Sequence, residues 1–224
     1  MTSSSSHVKA EIEYGKIIEN SKVIADLDFD RCTFEGGVIM QAEPSPDYGV
    51  VVRNVSLTKC KGNSIQLFGV RFEDVTVDTF RHPRMIDLQS CVLKHVVLRG
   101  NVGSVRISQM SDEDARAVLA PAAAKLYEDV DWALDITEAE FSDAEFWDLP
   151  GHLVKRNPET QFLLSRAAAA SADTGDLSSY GQIVVERAAD SVYETSVAAA
   201  PVRSKYFEDY LGDLRKLREL GIAE

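Results

Sequence analysis

The sequence predicts a mainly β fold in which short strands wind as a four-sided coil and stack in parallel, with a helical insertion and a helical C-terminal segment. Three observations lead there. Apolar residues recur at every fifth position through the first half. A five-residue block returns in tandem at 139–148, AEFSDAEFWD. Two later stretches, 111–130 and 203–221, change to helical composition and spacing.

The first-half frame is Val50, Val55, Cys60, Ile65, Val70, Val75, Phe80 and Met85. A second register stands two residues on, at Val52, Leu57, Leu67, Phe72 and Val77. Near the start the pairs are Leu27/Phe29, Cys32/Phe34 and Gly37/Ile39. After one extra residue they resume as Ile86/Leu88, Cys91/Leu93 and Val96/Leu98. Gly62 and His82 are misfits at centre positions. Helices need apolar spacings of three and four, and half-buried strands need two. A step of five fits neither alone. It fits short strands, whose two inward residues lie two apart, separated by corners. One turn of such a coil cannot bury its inward face, so several must stack.

The blocks Ala139-Glu140-Phe141, Ala144-Glu145-Phe146 and Ile86-Asp87-Leu88 resemble the pentapeptide-repeat family. The family consensus is a small residue, Asp or Asn, then Leu or Phe, then two freer positions. The resemblance covers roughly 22–41, 50–105 and 134–148. Here Val, Ile and Cys often replace the small Ala, and Glu replaces Asp. The resemblance implies a right-handed parallel, quadrilateral β-helix.

The interruptions come next. AEPSPDYG (42–49) is a loop by its prolines and glycine. RHPR (81–84) is a solvated corner, with an anion site as the sharper alternative. Ser111 and the acids at 112–114 favour a helix start. The helix that follows should be kinked or split by Pro121. Residues 149–166 leave the repeat, with Thr160–Leu164 as one more strand. The small, polar 167–182 reads as a mobile linker. For 183–197 the expectation is a helix with Val184, Ala188 and Val192 on one face. The tail places Phe207, Tyr210, Leu211, Leu214 and Leu217 on one helical stripe, with Gly221 as its C-cap. This stripe is expected to cover an open end of the coil or to dock on another chain. The organisation expected is therefore a repeat-like body over 1–166, with its insertion at about 111–131. A linker and a helical cap or interaction segment follow over 167–224.

Composition narrows the function. The chain holds 36 acidic and 24 basic residues, a net charge of −12. Residues 1–110 carry 13 of each sign, so the whole excess lies beyond 110. That disfavours nucleic acid as a direct partner. No apolar run approaches the roughly 18 residues of a membrane span, and the N-terminus lacks the apolar core of a secretory signal. A cytoplasmic location is the expectation. Cys32, Cys60 and Cys91 lack paired spacing and read as buried free thiols. His7, His82, His95 and His152 form no metal-binding pattern, and His7 falls in an expected disordered tail. No nucleophile elbow, P-loop or dinucleotide fingerprint is present. The expectation is a non-enzymatic interaction or scaffold module, without cofactor or metal, that binds a protein partner or pairs as a homodimer. Two alternatives stand beside it. The resemblance implies an acidic DNA mimic that modulates a type II topoisomerase. Carboxylates on stacked coils would suit a β-helix enzyme acting on carbohydrate.

Overall fold

The computed structural model describes residues 4–224. The chain is mainly β, with a few helices. Nine strands precede the first helix: β1 (Ser5–Val8), β2 (Glu11–Glu19), β3 (Lys22–Asp30), β4 (Thr33–Gln41), β5 (Val50–Phe68), β6 (Arg71–Arg81), β7 (Ile86–Gln89), β8 (Val92–Lys94) and β9 (Val96–Ser108). Helix α1 (Glu113–Tyr127) separates them from β10 (Leu134–Phe146). Then follow β11 (Val154–Lys155), β12 (Gln161–Ser165), α2 (Arg166–Ala170), α3 (Ser179–Ala189), β13 (Thr195–Ala199) and α4 (Phe207–Glu219).

The pairings of β1 to β11 are parallel. Strands β5, β6, β9 and β7 close a ring of such pairings. The chain returns beside itself after 20 or 21 residues, Val55 next to Val75 and Val77 next to Leu98, and after 28 where the 42–49 loop intervenes, Leu27 next to Val55. One ladder runs Ile17, Ile39, Leu67, Leu88, Ile107 and Phe146, apolar in every row. A second runs Ile24, Val52, Phe72 and Leu93.

The period of five has a backbone cause. Asn54, Lys59, Ser64, Gly69, Asp74 and Thr79 all have left-handed φ, between 52° and 62°. So do Asp26, Arg31 and Gly36 in an earlier pass, and Ser90, His95 and Gly100 in a later one. Each such residue bends the chain at a corner. Outside glycine this conformation costs about 1–2 kcal/mol per residue. Burial of the residues between corners offsets it. Val50, Val55, Cys60, Val70, Val75 and Phe80 are buried, and Ile65 and Met85 are half-buried. The misfit Gly62 also faces inward. A Cβ there would lie 2.5 Å from Phe80 Cζ and 2.6 Å from Ile65 Cδ1, so glycine makes room for that ring. The other misfit, His82, places its ring between the carbonyls of Arg84 and Val102.

Four expectations differ from the structure. His7 lies in β1 and stacks on Phe29 at 5.1 Å. Helix α1 runs through Pro121 without a break. Asp112 caps its start by accepting from the Ala115 amide, and Leu119, Ala123 and Tyr127 anchor one face at a spacing of four. The stretch 167–182 contains α2 and the start of α3, with Ala169, Leu177 and Gly181 buried. Its small residues permit close packing, which composition alone does not separate from a linker. Past it, the buried face of α3 is Gly181, Val185 and Ala188, whereas Val192 is exposed and Thr195–Ala199 is a strand.

A second core joins β12, β13 and α2 to α4. The tail stripe goes there. Leu211, Leu214 and Leu217 are buried, and Phe207 and Tyr210 are partly buried against them. Gly221, at φ +71°, ends α4, and the Ile222 amide turns back to the Leu217 carbonyl at 2.9 Å.

The last row of the body is closed by other segments. β11 pairs with Leu134 and Asp135, and Val197 of β13 pairs with Phe146. Gln161 Nε2 donates to the Ile136 carbonyl at 2.9 Å, and the Arg203 amide donates to the Phe141 carbonyl at 2.9 Å. The stripe of α4 therefore serves the second core, while the cover over the last row comes from residues 154–203.

Candidate functional site

The second half of the tandem block at 139–148 borders a cleft. Its floor is the end of β10, Asp143 to Phe146, followed by Trp147. The facing wall is α3, through Tyr180, Ile183, Val184 and Arg187, with Tyr210 of α4 beside it. The cleft encloses 230 Å³. It exists because β10 and β13 touch at a single pair, Phe146 with Val197, and diverge around it.

Alternation along β10 sends Phe146 into the core and Glu145 to the cleft side. Arg106, from the neighbouring strand β9, holds Asp87 through Nε at 3.0 Å and Nη2 at 2.7 Å. Its Nη1 is 3.8 Å from Glu145 Oε2, too far for a hydrogen bond. Burial pushes the Glu145 carboxyl above its ordinary range, with Asp143 and Asp87 adding to the effect and Arg106 and Arg187 opposing it. The ion pair thus does not offset desolvation. Oε2 is itself buried and finds no hydrogen-bond donor.

Two guanidinium groups lie over the Trp147 ring. Arg106 Cζ is 5.5 Å and Arg187 Cζ 4.6 Å from its centroid. Such stacking braces a guanidinium while leaving its N–H donors in plane and available. Among the described residues no ion pair holds Arg187. Behind Trp147, Asp148 is buried and accepts from Gln109 Nε2 at 3.1 Å. Burial raises its pKa and the Gln109 bond opposes that. On the opposite wall Tyr180 stacks on Tyr210 at 4.0 Å and donates to the Ala199 carbonyl at 3.2 Å. Burial pushes its phenol up.

Of the stripe expected as a cap or interaction face, Tyr210 alone reaches this cleft; Phe207, Leu211, Leu214 and Leu217 pack in the second core. The sequence reading missed Arg187 and Trp147. The one local signal was an aromatic at the otherwise free fourth position of the second block, where Ser142 stands in the first.

A second constellation sits at a corner. His95, at φ +55°, bonds Asp131 through Nε2 at 2.7 Å and Asp74 through Nδ1 at 3.1 Å. Its ring stacks on Trp132 at 4.7 Å, and Lys155 Nζ lies 3.6 Å from the other ring of that pair, Trp132. The Asp131 bond is the main cause raising its pKa. With both nitrogens engaged, His95 is a clamp between the corner and the segment after α1. Arg81, His82 and Pro83 of the RHPR corner border an open hollow with Lys61 and Glu35. All three cysteines are buried free thiols, and burial pushes Cys91 up to about 12. Among the described residues no group of three or more His, Cys, Asp or Glu could hold a metal ion. No helix among them is long and apolar enough to cross a membrane.

No protein-family model, curated protein or solved structure matches this chain.

Proposed function

We propose that the body is a right-handed quadrilateral β-helix of the pentapeptide-repeat kind and that the protein is a non-enzymatic interaction module of the cytoplasm. Its recognition site is the cleft between β10 and α3. The observation that supports this most is Arg187, a guanidinium braced on Trp147, within electrostatic reach of Glu145 but in no direct ion pair, lining a cleft beside the sheet. A planar guanidinium on an aromatic face, with its N–H donors free of any direct ion pair, suits a carboxylate-bearing protein segment. The walls of Ile183, Val184 and Tyr210 would hold apolar side chains beside it.

The mimicry reading asks for an unbroken acidic row along the outer face. The outer acids instead alternate with partners: Asp26 with Asn54, Asp78 with Arg99, Asp87 with Arg106. That arrangement favours a mixed surface and a protein partner.

The test is affinity capture from native extract with wild type and Arg187→Glu. Arg187 is exposed, so the change leaves the core intact, and an unaltered far-UV spectrum confirms that. Wild type should recover a specific protein that the variant loses. Equal recovery by both, or none by wild type, would overturn the proposal.

A further inference from the structure

The two ends of the parallel body are finished differently. Every side of the last row has a partner from residues 154–203. The first row does not. Among the described residues β1 pairs only with β3, and β2 only with β4. Their outer edges present unpaired backbone groups, a template for another strand. Large apolar residues are exposed along this end: Tyr14 is 79% exposed, with its ring beside Gly36 of the next row, Val8 is 55% exposed and Val23, in β3, 54%. No other part of the described chain combines an open strand edge with such a set.

Edges of this type are usually guarded by charge. The charges here complement each other when the row is turned about Tyr14. Lys9 and Glu19 stand at equal distances before and after Tyr14, five residues each way. Tyr14 (φ 49°) and Lys9 (φ 53°) are left-handed corners, and Glu19 lies one five-residue step beyond Tyr14. A two-fold axis through the Tyr14 corner brings two rows together antiparallel. It sets Lys9 of each copy over Glu19 of the other. A two-fold contact is self-complementary by construction, so this one pair occurs twice. An antiparallel meeting also lets the free N–H and C=O groups form ladder bonds.

We propose that two copies of this chain join first row to first row, about an axis at Tyr14, with reciprocal Lys9–Glu19 pairs setting the register. The contact is independent of the cleft and of its partner.

Sedimentation velocity on the purified full chain tests it, across micromolar concentrations. Wild type should be a dimer. Lys9→Glu and Glu19→Lys each turn two attractions into two repulsions, and should weaken association by about tenfold or more. The double variant K9E/E19K should regain the wild-type constant. Both residues are exposed, and far-UV spectra check that the singles fold. Tyr14→Cys supplies a second readout, since residue 14 meets its own copy at the axis. Mild oxidation should link the two chains, and the native cysteines are buried and do not compete. A monomeric wild type, a dimer indifferent to both charge reversals, or a Tyr14→Cys protein that stays unlinked would overturn the proposal.

Discussion

Gly62→Ala should destabilise the protein through a contact between neighbouring rows. The added Cβ would lie 2.5 Å from Phe80 Cζ, 2.7 Å from Phe80 Cε1 and 2.6 Å from Ile65 Cδ1. Real Cβ atoms do not approach other heavy atoms so closely, so the ring must move. It has little freedom to do so, because Phe80 is buried with Cys32 and Cys60 and also lies against Phe34 at 6.3 Å. Overpacking of one methyl group in such a core costs about 1–3 kcal/mol. In a chain of this size each kcal/mol lowers the melting temperature by about 2–4 °C. A loss near 6 °C is therefore expected in a thermal melt followed by circular dichroism. The contact is specific to a row register that sets Cys60 beside Phe80. Phe80→Leu removes the two clashing ring atoms at its own cavity cost. In the double variant the two losses should fall short of their sum, with a coupling of about 1 kcal/mol or more. Strict additivity, or an unchanged melting temperature in Gly62→Ala, would refute the inward placement of residue 62 and with it the register.

Other outcomes follow from the same structure. Thr79 is a β-branched residue at φ +62°, so Thr79→Gly should raise the stability measured by urea unfolding by up to about 1 kcal/mol, after the entropy that glycine adds to the unfolded chain. Leu214 is wholly buried in the second core, and Leu214→Ala should cost about 2–5 kcal/mol in the same assay. His95→Asn keeps a residue suited to the left-handed corner but removes the charge. The folded pKa of His95 is raised, so its contribution is full below about pH 6.5, the unfolded value, and disappears as pH rises through the folded one. Asp131 is held below its ordinary range by His95, so its share is lost again as strong acid protonates it. The melting difference between wild type and His95→Asn should therefore be widest in weak acid and close in alkali; a constant difference would refute the clamp.

Much of the body was legible in advance because its cause is local and repeats. A corner every five residues forces two inward positions per block, and apolar residues mark them in any single pass. Val50, Val55 and Val75 announce their burial without reference to the rest of the chain. The helical stripe of α4 was legible for the same reason. The cleft was not. Its parts come from β9, β10 and α3, and Arg187 is one exposed arginine of a helix until Trp147 is placed beneath it.

The sequence by itself determined a five-residue rhythm, the inward identity of its apolar members and the helical nature of the insertion and tail, since each rests on steric rules between near neighbours. Tertiary structure alone decided which row lies on which, what closes the last row, where the α4 stripe is buried and that Glu145, Trp147 and Arg187 share one cleft. Those outcomes depend on contacts between residues tens of positions apart. Such contacts are set by the packing of the whole and leave no periodic trace in the chain.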